Sequence, residues 1–296
     1  MTHTLIYHGL VSRHAPLAID LEIMQKAGFQ GLEVSAAKMR AALEAGITED
    51  ELSGWLRGVD VPGIGFLLDI ERHGKDFDRL LEEAQDLFRL AVLAGAKGVQ
   101  VLTGPVQVQA VHAFAAGGNS GLYEGALRMP RKDQMQITAA NLARLADMAS
   151  EFGLLVYLEA LAWTPLNKLR DQVGLIERAD RPNLRMVVDF WHCYASGDTP
   201  EDVAALPGDL IYGVHICDSL TYDGGIPDEG ILRDVPTGQG VLNLQDWVNA
   251  VKATGYEGWW SCELFCRKQQ EENSFVVARN LRNRMAHLIG IPALFA

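Results

Sequence analysis

The chain has 296 residues, 48% of them hydrophobic and 22% charged, so it is long enough to bury a sizeable core without disulfide staples. Its formal net charge of −12 opposes nucleic-acid phosphates, whose partners present a basic stripe of Lys and Arg, and favours a small polar molecule as partner. No apolar stretch reaches about 18 residues, MTHTLIYHGLVSRH lacks a basic region followed by a long apolar run, and the four cysteines (Cys193, Cys217, Cys262, Cys266) form no C-x-x-C, so the expectation is a cytoplasmic protein with no membrane contact.

Short apolar, β-branched runs alternate with longer helical patterns, the signature of parallel strands covered by helices. In chain order the expected strands are Thr4–His8, Gly31–Ser35, Gly63–Leu67 and Gly98–Leu102, with a helix over Phe77–Leu93 that places Leu80, Leu81, Ala84, Leu87, Phe88, Ala91 and Val92 on one face. A long connection, Thr103–Met129, follows the fourth strand, and its length marks it as a lid, a subunit contact or a disordered segment on the active-site face. Beyond it come a helix over Ile137–Ser150, strands at Leu155–Leu158, Arg185–Val188 and Leu210–Ile216, a helix over Gln245–Ala253, a strand at Trp259–Glu263 and a final helix over Gln269–Ile289. The segments starting at Ala27-Gly28, Ala94-Gly95 and Thr254-Gly255 share one layout, a helix end stopped by glycine and a second glycine before the next strand, so one helix-to-strand joint is reused. Eight strands with helices between them predict a single α/β domain, a (β/α)8 TIM barrel spanning 1–296.

In such a barrel the chemistry sits at the C-terminal ends of the strands. Four successive later strands end in Glu159, Asp189, His215 and Glu263. Any one of these acids alone reads as a helix cap and the histidine as a satisfied core or surface residue. Three carboxylates at one mouth repel and raise one another's pKa values unless a cation sits among them, so together they predict one divalent metal ion. Oxygen and nitrogen donors suit Mn2+, Mg2+, Co2+ or Zn2+, with positions left open for two adjacent oxygens of a hydroxy-ketone. His192, three residues after Asp189, is either a substrate ligand or a capping group, and Arg233 before Pro236-Thr237-Gly238-Gln239-Gly240 either grips a substrate oxygen or is a solvated loop arginine. Glu33, Glu71, Arg72, Gln100 and the long connection are expected to shape the pocket, whereas Trp163, Phe190, Trp191 and Trp259 are expected chiefly to pack.

Glu159, Asp189-x-x-His192, His215-x-x-Asp218, Arg233-x-x-Pro-x-Gly-x-Gly240 and Glu263 together resemble the xylose-isomerase-like (β/α)8 superfamily of sugar isomerases and epimerases. Within it, Val188-Asp189-Phe190-Trp191-His192-Cys193-Tyr194 and Ser261-Cys262-Glu263-Leu264-Phe265 look like the inosose isomerases, with the resemblance carried by residues 150 to 270. It implies that Glu159, Asp189, His215 and Glu263 bind the metal, Mn2+ first among the candidates. It also implies that Glu159 and Glu263 form the acid/base pair and that His192 and Arg233 hold the substrate. The implied reaction is proton removal beside the carbonyl of a keto-polyol or ketose through an enediolate, giving isomerisation or epimerisation; the same enediolate serves a lyase that dehydrates an inosose or cleaves an oxidised glycoside. A homo-oligomer follows by analogy. Apurinic-site endonucleases share the barrel, but the acidic charge argues against them.

Overall fold

Runs of three to six mostly apolar residues form the strands β1 (Thr4–His8), β2 (Gly31–Ser35), β3 (Gly63–Leu67), β4 (Gly98–Leu102), β5 (Leu155–Glu159), β6 (Leu184–Asp189), β7 (Ile211–His215) and β8 (Trp259–Ser261). Each lies parallel to the next, and β8 pairs with β1 to close the barrel, as expected when every helix returns the chain by the same right-handed crossover. The computed structural model describes residues 3–292; Met1, Thr2 and 293–296, which belong to the expected 1–296 domain and to the N-terminal stretch, lie outside the described residues. No described helix is long and apolar enough to cross a membrane.

Side chains alternate across a strand, so every second residue points into the barrel. Ile6, Tyr157, Val187 and Trp259 meet there and plug the interior. Two large rings fit because β3 and β7 carry glycine opposite them. A Cβ on Gly63 would lie 1.9 Å from the Tyr157 hydroxyl, and one on Gly213 would lie 1.9 Å from the Trp259 ring. Two residues further along the same strands, at the same inward parity and one layer nearer the mouth, stand His8, Glu159, Asp189, His215 and Ser261. The plug is therefore the floor of the site.

The outer helices hold the frame. Lys75–Ala94 buries Leu80, Ala84, Leu87, Phe88 and Ala91 of the expected face, whereas Leu81 is half-buried and Val92 is 53% exposed, because the helical turn carries both to the flank of the apolar stripe. Gly28 and Gly95 cap their helices in the left-handed conformation, and Gly255 takes the same conformation at φ 79°, so the repeated joint is a structural repeat.

Several boundaries differ from expectation, each for a local reason. The helix expected from Ile137 begins at Arg131, because its first turns are polar on the outside and hide the apolar period; Gln134 is nevertheless buried and donates to the Ala126 and Met129 carbonyls. The final helix divides into Arg267–Gln270 and Ser274–Ile289, since the Asn273 side chain accepts from the Phe275 and Val276 amides and starts a new helix. β7 begins at Ile211, Leu210 being the last residue of a short 3-10 turn, and β8 stops at Ser261, which leaves Glu263 two residues past the strand. The connection 103–129 contains the helix Val108–Ala115, and its base is tied down where the Val106 amide donates to Asp69 at 2.7 Å and the Trp163 indole donates to the Pro105 carbonyl at 3.0 Å.

Candidate metal centre and active site

His215 stands at the middle of the cluster. Its Nδ1 lies 3.8 Å from Glu159 Oε1, 3.9 Å from Asp189 Oδ2 and 3.9 Å from Glu263 Oε2, and one donor atom from each of the four residues falls within 4.8 Å of every other. Ligands about 2.1 Å from a common ion in tetrahedral array lie about 3.4 Å apart, so a small contraction brings these donors onto one cation. Two of the atoms, Glu159 Oε1 and His215 Nδ1, are buried with no hydrogen-bond partner. Orphaned acceptors of this kind are costly without something to bind, and a divalent ion fits both their positions and their chemistry.

The ring of His215 is aimed from behind. Its Nε2 faces Glu33 at 3.2 and 3.4 Å, and Glu33 also accepts from Tyr157 Oη and Ser261 Oγ, both at 3.1 Å. A carboxylate on Nε2 fixes the tautomer that leaves Nδ1 as the donor to a metal. Burial opposes charge on both partners, yet His215 holds the Glu33 carboxyl below its ordinary range, while Glu33 and the cluster carboxylates hold the imidazole well above its own, so a metal ion binding at Nδ1 would displace a proton that these carboxylates favour. His8 adds a second imidazole, 3.8 Å from both Glu33 and Glu263.

The two glutamates sit in contrasting surroundings. Burial raises the Glu159 carboxyl to about 7, although Gln100 Nε2 donates to its Oε2 at 2.6 Å. Burial works in the same direction on Glu263, but Arg233 and His215 outweigh it and bring that carboxyl down to about 2. Arg233 Nη2 reaches Glu263 Oε2 at 2.8 Å, the Glu263 carbonyl at 3.2 Å and Asp189 Oδ2 at 3.3 Å, and its guanidinium lies 4.1 Å over the Phe265 ring. It is a buried clamp on two acids and not the solvated loop arginine that the sequence also allowed. The loop that carries it is organised by Asp218, which accepts from the amides of Ser219, Gly238, Gly240 and Leu242; a Cβ on Gly240 would stand 2.3 Å from Asp218 Oδ1.

Asp189 caps the helix Phe190–Ser196 through a 2.7 Å bond from the His192 amide to Oδ1, so the helical turn brings His192 to the mouth beside it. His192 Nδ1 accepts from the Ala162 amide at 3.1 Å, which leaves Nε2 as the proton-bearing nitrogen, 3.8 Å from Glu159 and 3.7 Å from Glu229. Burial lowers this imidazole to about 4, so it is neutral at ordinary pH.

A cavity of about 420 Å3 opens directly on these groups, with Gln100, Glu159, His192, Glu229 and Glu263 among its walls. The connection 103–129 contributes Val106 to Gln109, on the face where the sequence places it. Trp163 lines the cavity as well, whereas Phe190 packs on Trp247, Trp191 lies beneath Arg233, and Trp259 belongs to the barrel plug. Glu71 and Arg72 do not line it: Glu71 is buried under Gly104 and Gly125, and Arg72 is turned to Glu83 and the Leu68 carbonyl. Reading strand ends missed His8 and Glu229, and it named Glu33 only as a pocket residue. The signal for Glu33 was a carboxylate at inward parity in the middle of a strand, since a buried charge there must have a partner.

The fold and this mouth identify the class: the chain belongs to the xylose isomerase-like TIM barrel family, whose model matches residues 21–284. Among curated proteins it is similar to a 3-dehydroshikimate dehydratase of Pseudomonas aeruginosa, 32% identical over 130 residues that make up 44% of this chain and 20% of the relative. It is also similar to an inosose isomerase of Halalkalibacterium halodurans, 28% identical over 138 residues, 45% of this chain and 48% of the relative. The matches thus span about a fifth and about half of those relatives' lengths. The crystal structure of the IolI protein with a bound zinc atom superposes with a TM-score of 0.84 at 17% identity, covering 97% of this chain and 98% of that one, which shows the shared fold.

Proposed function

We propose that the protein is a divalent-metal-dependent isomerase or epimerase that moves a proton beside the carbonyl of a keto-polyol or ketose. The observation that carries this reading is that Glu159 and Glu263, both within 4 Å of His215 Nδ1 in the four-residue cluster, line the same cavity. When bound, a divalent ion supplies polarisation of the substrate carbonyl and so acidifies the adjoining C–H. Glu159 and Glu263 then take the proton from one carbon and return it to its neighbour or to the opposite face. His192, neutral and with its free N–H turned to the cavity, donates to a substrate hydroxyl. Arg233, already bonded to Glu263 and Asp189, holds the glutamate in place and supports the substrate oxygens through it.

A lyase using the same proton removal is the second reading, favoured by the 32% identity to a dehydratase. Against a carboxylate substrate such as that relative's name implies, Arg13 is the one Lys or Arg among the cavity-lining residues, and it stands at the exposed rim. The walls suit a neutral polyol better. Incubating inososes and keto-hexoses with enzyme and Mn2+ in deuterated water tests this. The expected result is deuterium beside the carbonyl of a rearranged sugar, reduced at least about a hundredfold in Glu159→Gln; an unsaturated or dehydrated product, or no exchange, overturns it.

A further inference from the structure

The mouth of the barrel is two-lobed. Beside the cavity described above lies a second one of about 290 Å3, built from the ends of β1, β2 and β3, and Leu10, Arg13, Phe66 and Gln100 form the partition because they line both. The lobes differ in chemistry. The first holds unspent polar groups, including the partnerless Glu159 Oε1 and the free Nε2 of His192. In the second, apart from the Arg13 guanidinium at the exposed rim and Gln100 Oε1 on the partition, the polar side chains are largely engaged within the protein. Lys38 Nζ donates to the Gly9 and Ser12 carbonyls at 3.0 and 2.8 Å and to Asp20 at 2.8 Å. Glu33 is held by Tyr157, His215 and Ser261, Ser35 Oγ caps the Lys38 amide, and His8 Nδ1 accepts from the Leu10 amide.

Besides Arg13 at the rim and Gln100 on the partition, what remains to contact a ligand is the apolar surface of Leu10, Val34, Ala37 and Phe66, and Phe66 is 52% exposed on the partition. A bare polyol offers such a surface nothing, because each hydroxyl placed there gives up water without a replacement bond. A flat apolar group gains by burial and by stacking on Phe66.

We propose that the substrate is a two-part molecule: a keto-polyol ring seated against Glu159 and Glu263, joined to an apolar, preferably aromatic, substituent that occupies the second lobe. This rests on the proposed proton-transfer function for the first lobe only. Ala37 is exposed at the start of the helix Ala36–Glu44 and lines the second lobe but not the first, so a larger side chain there fills the second lobe.

The test compares a 3-keto-hexose with its 6-O-benzyl ether, whose aromatic group is not β to the carbonyl and so is not expelled by proton removal, on the metal-loaded protein, by proton exchange in deuterated water and by calorimetric binding. The benzyl ether is expected to bind about tenfold or more tightly than the bare sugar. Ala37→Trp, with Ala37→Phe as a smaller filler, is expected to erase that preference while changing the bare sugar less than about twofold. Equal affinity of the two probes for the unaltered protein, or an equal loss of both in the variants, overturns the proposal. If neither probe exchanges its proton, the proton-transfer function fails, and the calorimetric comparison still decides the lobe.

Discussion

Glu33 illustrates how one buried carboxylate prepares another group for its task. With Tyr157, His215 and Ser261 all bonded to it, Glu33 is fixed, and through it the imidazole of His215 is turned so that Nδ1 faces Glu159, Asp189 and Glu263. Glu33→Gln keeps the shape but loosens the hold on the tautomer, so the expected result is metal affinity lower by about 10- to 100-fold in a folded protein, read by competition with a chelator; unchanged affinity would mean that His215 is oriented by packing alone. Glu71 is a different case. Both its oxygens are buried without a partner, and burial, reinforced by Asp69, pushes its carboxyl up to about 8. The folded state keeps a proton that the unfolded chain releases above about 4.5, so this contribution to stability is full below that pH and is lost as pH rises through about 8. Glu71→Gln stays neutral throughout: its Tm should exceed that of the parent above about pH 8 by an amount that vanishes near pH 5, and parallel Tm profiles for the two proteins would contradict this.

Among the elements, β3 and β7 carry a constraint that the strand pattern alone does not reveal. Gly213 lies against the Trp259 ring and Gly63 against the Tyr157 hydroxyl, both inside the barrel plug. Gly213→Ala should cost about 1 to 3 kcal/mol through overpacking, seen as a lower Tm and denaturation midpoint; no loss would show that the plug can move aside. The order and type of the strands were legible from sequence because each is a short apolar run stopped by turn residues. The four cluster residues were legible because they stand at or just past the ends of β5 to β8, where a charged group breaks an apolar run. The early strands hid their share. Glu33 sits in mid-strand and its partner His215 is 182 residues away, so nothing local marks the pair. The inward turn of Arg233 was illegible for the same reason, since its partners Asp189 and Glu263 are brought to it by barrel closure. Asn273 was an available signal of a helix start, since residues 269–274 are all polar and the apolar run begins only at Phe275.

At the scale of the whole molecule, eight parallel strands bring acids from separate strands to one mouth, and the helices and the Tyr157–Trp259 plug supply the rigidity that the proposed metal and proton-transfer site requires. The net charge of −12 fits this arrangement: much of the acidity is on the surface, but Glu33, Glu159 and Asp189 are buried where only a cation or a bonded partner makes them tolerable. Family membership accounts for the frame, and the particular reaction rests on the groups at the mouth. The proposed chemistry depends on Glu159, Asp189, His215 and Glu263 holding one divalent ion. Chelator-stripped protein titrated with Mn2+ and followed by calorimetry should bind one equivalent, and Asp189→Asn, folded by circular dichroism, should lose it. No saturable binding, or undiminished binding by Asp189→Asn, would contradict the central claim.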